Sequence, residues 1–135
     1  GQLFRSLNHG WLTDGFTTLG QHSLARHHAA QAFMRARERD RIGEAVACRA
    51  LARAAAQAGD MAGTERYLAR ATRCAEVRSS PHESATTALC RAEAMAALER
   101  RDEAQKALEL ACAGFLSMKM RWHMDRADAL WRVLR

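Results

Sequence analysis

The chain has 135 residues and a mass of 15.0 kDa, with 48% apolar and 27% charged residues and a formal net charge of +6. These values fit one folded domain and argue against a disordered chain. Alanine supplies 29 residues, glycine 8 and proline 1, a composition that favours helix throughout and leaves little room for an extensive β-sheet.

No apolar run approaches the roughly 18 residues of a membrane span, and no signal-peptide pattern opens the chain. Gly1 stands first instead of Met, as in a segment cut from a longer protein or the remnant of a cleaved tag. Arg carries nearly all the positive charge, and a pI near 9.9 permits nucleic acid or an acidic partner without demanding either. Cys48, Cys74, Cys90 and Cys112 lie far apart with no C-x-x-C pair. They read as buried, reduced thiols of a cytoplasmic protein.

Residues 1 to 19 place Phe4, Leu7, Trp11, Leu12, Phe16 and Leu19 at helical spacing. Gly10 and Gly15 weaken that helix by roughly 1 kcal/mol each relative to Ala. From residue 22 onward the helical pattern is strong. Breaks fall at Gly20-Gln21, Asp40-Arg41, Gly59-Asp60, Ser80-Pro81-His82-Glu83, Glu99 to Asp102, and Ser117 to Lys119. The fourth is the clearest: Ser80 can cap, Pro81 suits the first helical position, and Glu83 can return to the Ser80 amide. Seven helices with short connections result, a stack of antiparallel pairs.

An internal repeat supports that reading. With Gly20, Gly59 and Glu99 at the turn inside each pair, the spacings are 39 and 40 residues. In the same frame Ala25, Thr64 and Ala104 coincide, as do Ala29, Leu68 and Leu108, and Ala32, Ala71 and Ala111. Units that cannot bury their apolar faces alone must stack on one another.

Gly59-Asp60-Met61 to Ala71 resembles the turn and second helix of a tetratricopeptide repeat, and Arg101-Asp102-Glu103-Ala104 to Ala111 resembles the same stretch one unit later. The period exceeds the roughly 34 residues of the standard repeat. It is similar to the longer-helix arrays of bacterial LuxR-type and cyclase-linked regulatory ATPases. The ending Phe115 to Trp122, followed by Asp125-Arg126-Ala127, is similar to how such arrays close. The resemblance implies an all-α, right-handed superhelical solenoid in a single domain. Its repeats would span about 2–39, 42–77 and 81–117, with a terminal helix at 120–134. Two departures stand out. Glu99 occupies a turn position usually held by Gly, and Arg91 an apolar position, so that either the helix shifts by a residue or Arg91 snorkels.

The resemblance also implies a groove lined by the first helix of each pair, carrying Asp14, Thr18, Arg49, Arg53, Gln57, Thr86 and Glu93. Arg49 and Arg53 are four apart and share a helical face. Two adjacent guanidiniums call for carboxylate or phosphate: an acidic peptide or partner helix, or Glu44 or Glu93 of the chain itself. The run Arg35, Arg37, Arg39, Arg41 is interrupted by Glu38 and Asp40 and lacks stacking aromatics apart from Phe33, which argues against nucleic acid. His22, His27 and His28 sit at spacings of five and six, poor for two metal ligands on one helical face. His9, His82 and His123 stand alone, and a mixed Cys/His site stays open. No enzyme motif is present, so neither catalysis nor a metal or cofactor is expected.

The last helix spreads Trp122, Met124, Ala127, Leu130, Trp131, Val133 and Leu134 over more than one stripe. One side is expected on Leu108, Cys112 and Phe115. Trp122, Trp131 and Leu134 are candidates for self-association into a homodimer, since a terminal repeat normally shows a polar outer face. The functional expectation is a non-catalytic interaction or regulatory module. A small-ligand effector sensor and a nucleic-acid adaptor are the alternatives.

Overall fold

The computed structural model describes residues 5–37 and 42–135, apart from the side chains of Arg37, Arg121 and Trp122. Among these residues the chain is helical throughout: α1 (Arg5–Thr18), α2 (His22–Arg37), α3 (Ile42–Gln57), α4 (Met61–Val77), α5 (Pro81–Ala97), α6 (Arg101–Ser117) and α7 (Arg121–Leu134). Phe4 and the Asp40-Arg41 break lie outside the described residues.

The described joints follow one design. Gly20, Gly59, Ser79, Glu99 and Lys119 all have positive φ, at 74, 75, 48, 59 and 55°. At Gly59 the amide bonds the Ala56 carbonyl and the next amide, Asp60, bonds Ala55; the same pair of bonds recurs at the other four joints. This is the Schellman arrangement, which satisfies the last carbonyls of a helix and requires a left-handed residue. Glu99 adopts it despite its Cβ, so the third pair keeps its register without the usual Gly. Consequently Arg91 is not displaced by a residue. It snorkels, and its Nη1 donates to both carboxylate oxygens of Glu65 at 2.9 and 3.1 Å.

Helix starts are less uniform. Asp60 accepts from the Gly63 amide at 2.9 Å and Ser80 from the Glu83 amide at 3.2 Å, with Pro81 in the first turn. The reciprocal half of the expected capping box is not made. The Ser80 amide is already committed to the Ala75 carbonyl, and the Glu83 carboxylate turns to Arg49.

α1, α3, α5 and α7 lie against one another in sequence, and α2, α4 and α6 each pack on the odd-numbered helix before them. All nine residues of the three repeat columns, Ala25 through Ala111, are buried. A large cluster fills the second half, with Leu68, Leu89, Met95, Leu108 and Phe115 fully buried. α7 closes it with Ala127 and Leu134, while Cys112, Leu130 and Trp131 are partly buried against it.

α1 packs by its small residues. The helix forms, but it buries Ser6, Gly10, Thr13 and Thr17 and leaves Trp11, Leu12 and Leu19 exposed. The cause is the closeness of α3. A Cβ on Gly43 would sit 1.6 Å from the Ser6 carbonyl oxygen, and one on Gly10 would sit 2.8 Å from that of Gly43. Only small side chains fit between backbones this near, so the face with small residues wins over the face with large ones. The Ser6 hydroxyl accepts from the Gly43 amide at 2.9 Å, satisfying an orphan donor at the start of α3 from a different helix.

Candidate functional site

The odd-numbered helices carry the residues that the sequence singled out, and the structure joins them by ion pairs that step from helix to helix. Arg53 of α3 donates to Asp14 of α1. Arg49 of α3 donates to Glu83 of α5 at 2.6 Å and lies 3.4 Å from the Thr87 hydroxyl. Arg126 of α7 donates to both oxygens of Glu93 of α5 at 2.7 and 2.8 Å. A row of charge pairs thus bridges α1, α3, α5 and α7 in order.

The two arginines are not equivalent. Arg49 is buried, 7% exposed, against a buried Glu83 that Arg78 approaches at 3.8 Å. Arg53 and Asp14 are half-buried, so water screens their ion pair more than that of Arg49 and Glu83. Neither arginine takes Glu44 or Glu93, the intramolecular partners expected from the sequence. Glu44 holds the Arg70 Nε at 2.8 Å, and the same guanidinium stacks over Phe33 with its carbon 3.8 Å from the ring centroid. Thr18 and Gln57 are exposed, the Thr18 hydroxyl donating to the Asp14 carbonyl at 3.0 Å. Thr86 is half-buried, and its hydroxyl has no hydrogen-bond partner.

At the terminal helix Leu134 is buried and Trp131 half-buried against the main cluster. The Trp122 side chain and the residues Glu38 to Arg41 of the basic run lie outside the described residues. Leu134 is therefore core rather than exposed surface.

His9, which stands alone in the sequence, pairs in the fold with His28 across α1 and α2. The Nδ1 atoms of His9 and His28 are 3.0 Å apart, the rings stack at 5.3 Å, and Phe16 stacks on His28 at 5.5 Å. Burial, then the neighbouring His28 and Arg35, lower the pKa of His9 below its ordinary value. His82 and His123 meet edge-on at the other end, beside Phe115. Among the described residues no group of three or more His, Cys, Asp or Glu is placed to hold a metal ion. None of the four cysteines is in a disulfide. Burial pushes the Cys48 thiol up to about 12 and raises Cys90 and Cys112, the opposite of what a nucleophilic thiolate needs.

Between the first two helix pairs lies a cleft of about 330 Å³ with an Ala54, Ala55 and Ala58 wall, edged by His22, Arg26 and Tyr67. Thr17 lines it, and its hydroxyl has no hydrogen-bond partner. No helix among the described residues is long and apolar enough to cross a membrane. No protein-family model, curated protein or solved structure matches the chain.

Proposed function

We propose that the chain is a non-catalytic interaction module, a tetratricopeptide-like right-handed array belonging to a larger regulatory protein. Its continuous layer of odd-numbered helices receives an acidic peptide or partner helix. The observation that carries this reading is the half-buried Asp14–Arg53 pair on that layer. As the more exposed of the two pairs, it exchanges Asp14 for a ligand carboxylate at the smaller cost. Arg49 would have to abandon a buried carboxylate, which costs several kcal/mol, roughly 3–5. Arg53, with Thr18 and Gln57 beside it, is the recognition group, and Arg49 holds α3 to α5.

The test is capture from nuclease-treated lysate by immobilised wild type and by Asp14→Asn/Arg53→Gln, which removes the pair without leaving a lone charge. A protein retained by the first and lost by the second supports the groove and names the partner. Equal capture by both moves the site away from Arg53.

A second reading rests on the cleft edged by His22, Arg26 and Tyr67. Other helical threonines here, including Thr13, Thr18, Thr64 and Thr72, donate to the carbonyl four residues back. Thr17 does not, which leaves its hydroxyl for a small anionic effector with an apolar body. Calorimetric titration with short-chain and aromatic carboxylates, repeated on Arg26→Gln, decides it: heat that vanishes in the variant supports the effector site, and no heat removes it.

A further inference from the structure

The two junctions between helix pairs share one frame but are filled differently. In the first, Arg70 of α4 reaches across α3 toward α2. Its Nε donates to Glu44 at 2.8 Å, and its guanidinium carbon lies 3.8 Å from the centroid of the Phe33 ring. Carried along the repeat by 39 residues from α2 and by 40 from α3 and α4, Phe33, Glu44 and Arg70 become Thr72, Ser84 and Leu110 of the second junction. Cys48 and Tyr67 become Ala88 and Ala107 in the same way. All five exchanges shorten the side chain, and the five shorter residues line a cleft of about 300 Å³ between α4, α5 and α6.

The charges differ as well. Arg26 and Leu51, which line the cleft of the first junction, become Glu65 and Arg91 in the second, and these two meet as an ion pair. The Arg91 guanidinium is thus taken up by Glu65, although the residue lines the new cleft. Glu76 is in a different position. It stands one helical turn beyond Thr72 on α4 and lines the cleft. Among the described residues its carboxylate has no ion-pair or hydrogen-bond partner.

We infer that the cleft between α4, α5 and α6 is a binding site for a small aromatic cation, an arylalkylamine. The ring follows from the frame. The first junction fills this place with the Phe33 ring, and the second leaves it open beside Ala88, Ala107 and Leu110. The positive charge follows from Glu76, the carboxylate of the lining, since an aromatic acid would meet like charge there. Where the first junction holds ring, cation and carboxylate within the chain, the second keeps a carboxylate and the space, and the ligand brings the other two. The Thr72 hydroxyl spends its proton on the Leu68 carbonyl at 2.9 Å, which leaves its oxygen to accept from an ammonium. A volume near 300 Å³ stands at the small end of ligand sites and suits a compound of one ring.

The test titrates the whole isotope-labelled chain with phenethylamine and follows its amide resonances. Hydrocinnamate, with the same ring and the opposite charge, and butylamine, with the same charge and no ring, are run beside it. Phenethylamine produces saturable shifts around Ser84, Ala88 and Leu110 at roughly millimolar concentration or below, and neither twin does so at those residues. Glu76→Gln, at an exposed position, weakens binding roughly tenfold. Thr72→Phe/Ser84→Glu/Leu110→Arg writes the residues of the first junction into the second and removes the shifts. All three positions are exposed, and a melting temperature no lower than that of the wild type shows that the fold persists. Should the triple variant fail to fold, Glu76→Gln carries the test alone.

Several results would overturn the inference. Phenethylamine gives no saturable shifts; hydrocinnamate or butylamine moves the same amides equally; Glu76→Gln leaves the affinity as it was; the shifts survive in a folded triple variant; or they centre on Ala54, Ala55 and Ala58, which moves the amine to the first cleft. None of these bears on the groove reading, because Asp14 and Arg53 do not line this cleft. The capture experiment tests that reading by itself.

Discussion

The junction between the first two helix pairs and the body of the second half solve the same packing problem by different means. In the first, α1 and α3 approach so closely that glycine, serine and threonine fill the seam, and the accompanying apolar cluster holds three alanines and Leu51. In the second, the large side chains of Leu89, Met95, Leu108 and Phe115 fill the cluster. Close backbone approach gains dispersion and interhelix hydrogen bonds but removes little apolar area from water. Large side chains gain mostly through the hydrophobic effect. One helical rhythm therefore accommodates two chemistries, and the two halves should fail differently when perturbed.

The largest expected effect is in the second half. Phe115→Ala leaves a cavity in the main cluster and costs about 3–5 kcal/mol, read as a lowered urea midpoint for the whole chain. A loss confined to α7 would contradict the cooperative core. Next comes Arg49→Ala, which strands Glu83 between α3 and α5. The cost approaches about 3 kcal/mol, at the lower edge of such cases because Arg78 stands near, and Arg49→Ala/Glu83→Ala recovers much of it.

The third experiment moves to the glycine seam. Gly43→Ala drives a methyl into the Ser6 carbonyl, costing about 1–3 kcal/mol. Hydrogen exchange should show α1 deprotected and α5 and α6 unchanged; deprotection throughout would mean that the halves are not separable. A smaller gain, about 1 kcal/mol, is expected from Glu99→Gly, which relieves a left-handed residue of its Cβ, and thermal unfolding measures it.

The smallest effect depends on pH. His9 has a folded pKa below 6.5, so its neutral ring is the form that folding favours. The stability that it contributes is present above pH 6.5 and is lost as pH falls through the lower folded value. The Nδ1 contact with His28 also needs at least one neutral ring. Amide protection in α1 and α2 should fall on acidification in the wild type and much less in His9→Asn.

Much of the architecture was legible in the residues. The spacing of Gly20, Gly59 and Glu99 located the joints, and the columns from Ala25 to Ala111 named buried positions, because small and apolar residues recurring at a fixed interval have a direct packing cause. The inward face of α1 was not legible. Counting large apolar residues points to Leu12 and Leu19, whereas the face that packs is chosen by how near α3 comes, and nothing local encodes that distance. Ser6 and Gly10, small residues four apart, were the available hint. The partners of Arg49 and Arg53 were hidden for a related reason: Glu83 and Asp14 lie 34 and 39 residues away, so only the fold brings them together.

The recurring left-handed joint has a further consequence. From Gly59 onward it returns every twenty residues, at Ser79, Glu99 and Lys119, so the chain behaves like a folded ruler whose hinges are evenly set. Excising residues 80–119, two ruler lengths, would bring Ser79 directly before Met120 and deliver an odd-numbered helix after α4, as in the parent. Excising residues 80–99 alone would deliver α6 where α5 belongs and turn every later helix to the wrong side. Length changes in such a protein are therefore tolerated in pairs of helices, and a single helix is the increment that it cannot gain or lose.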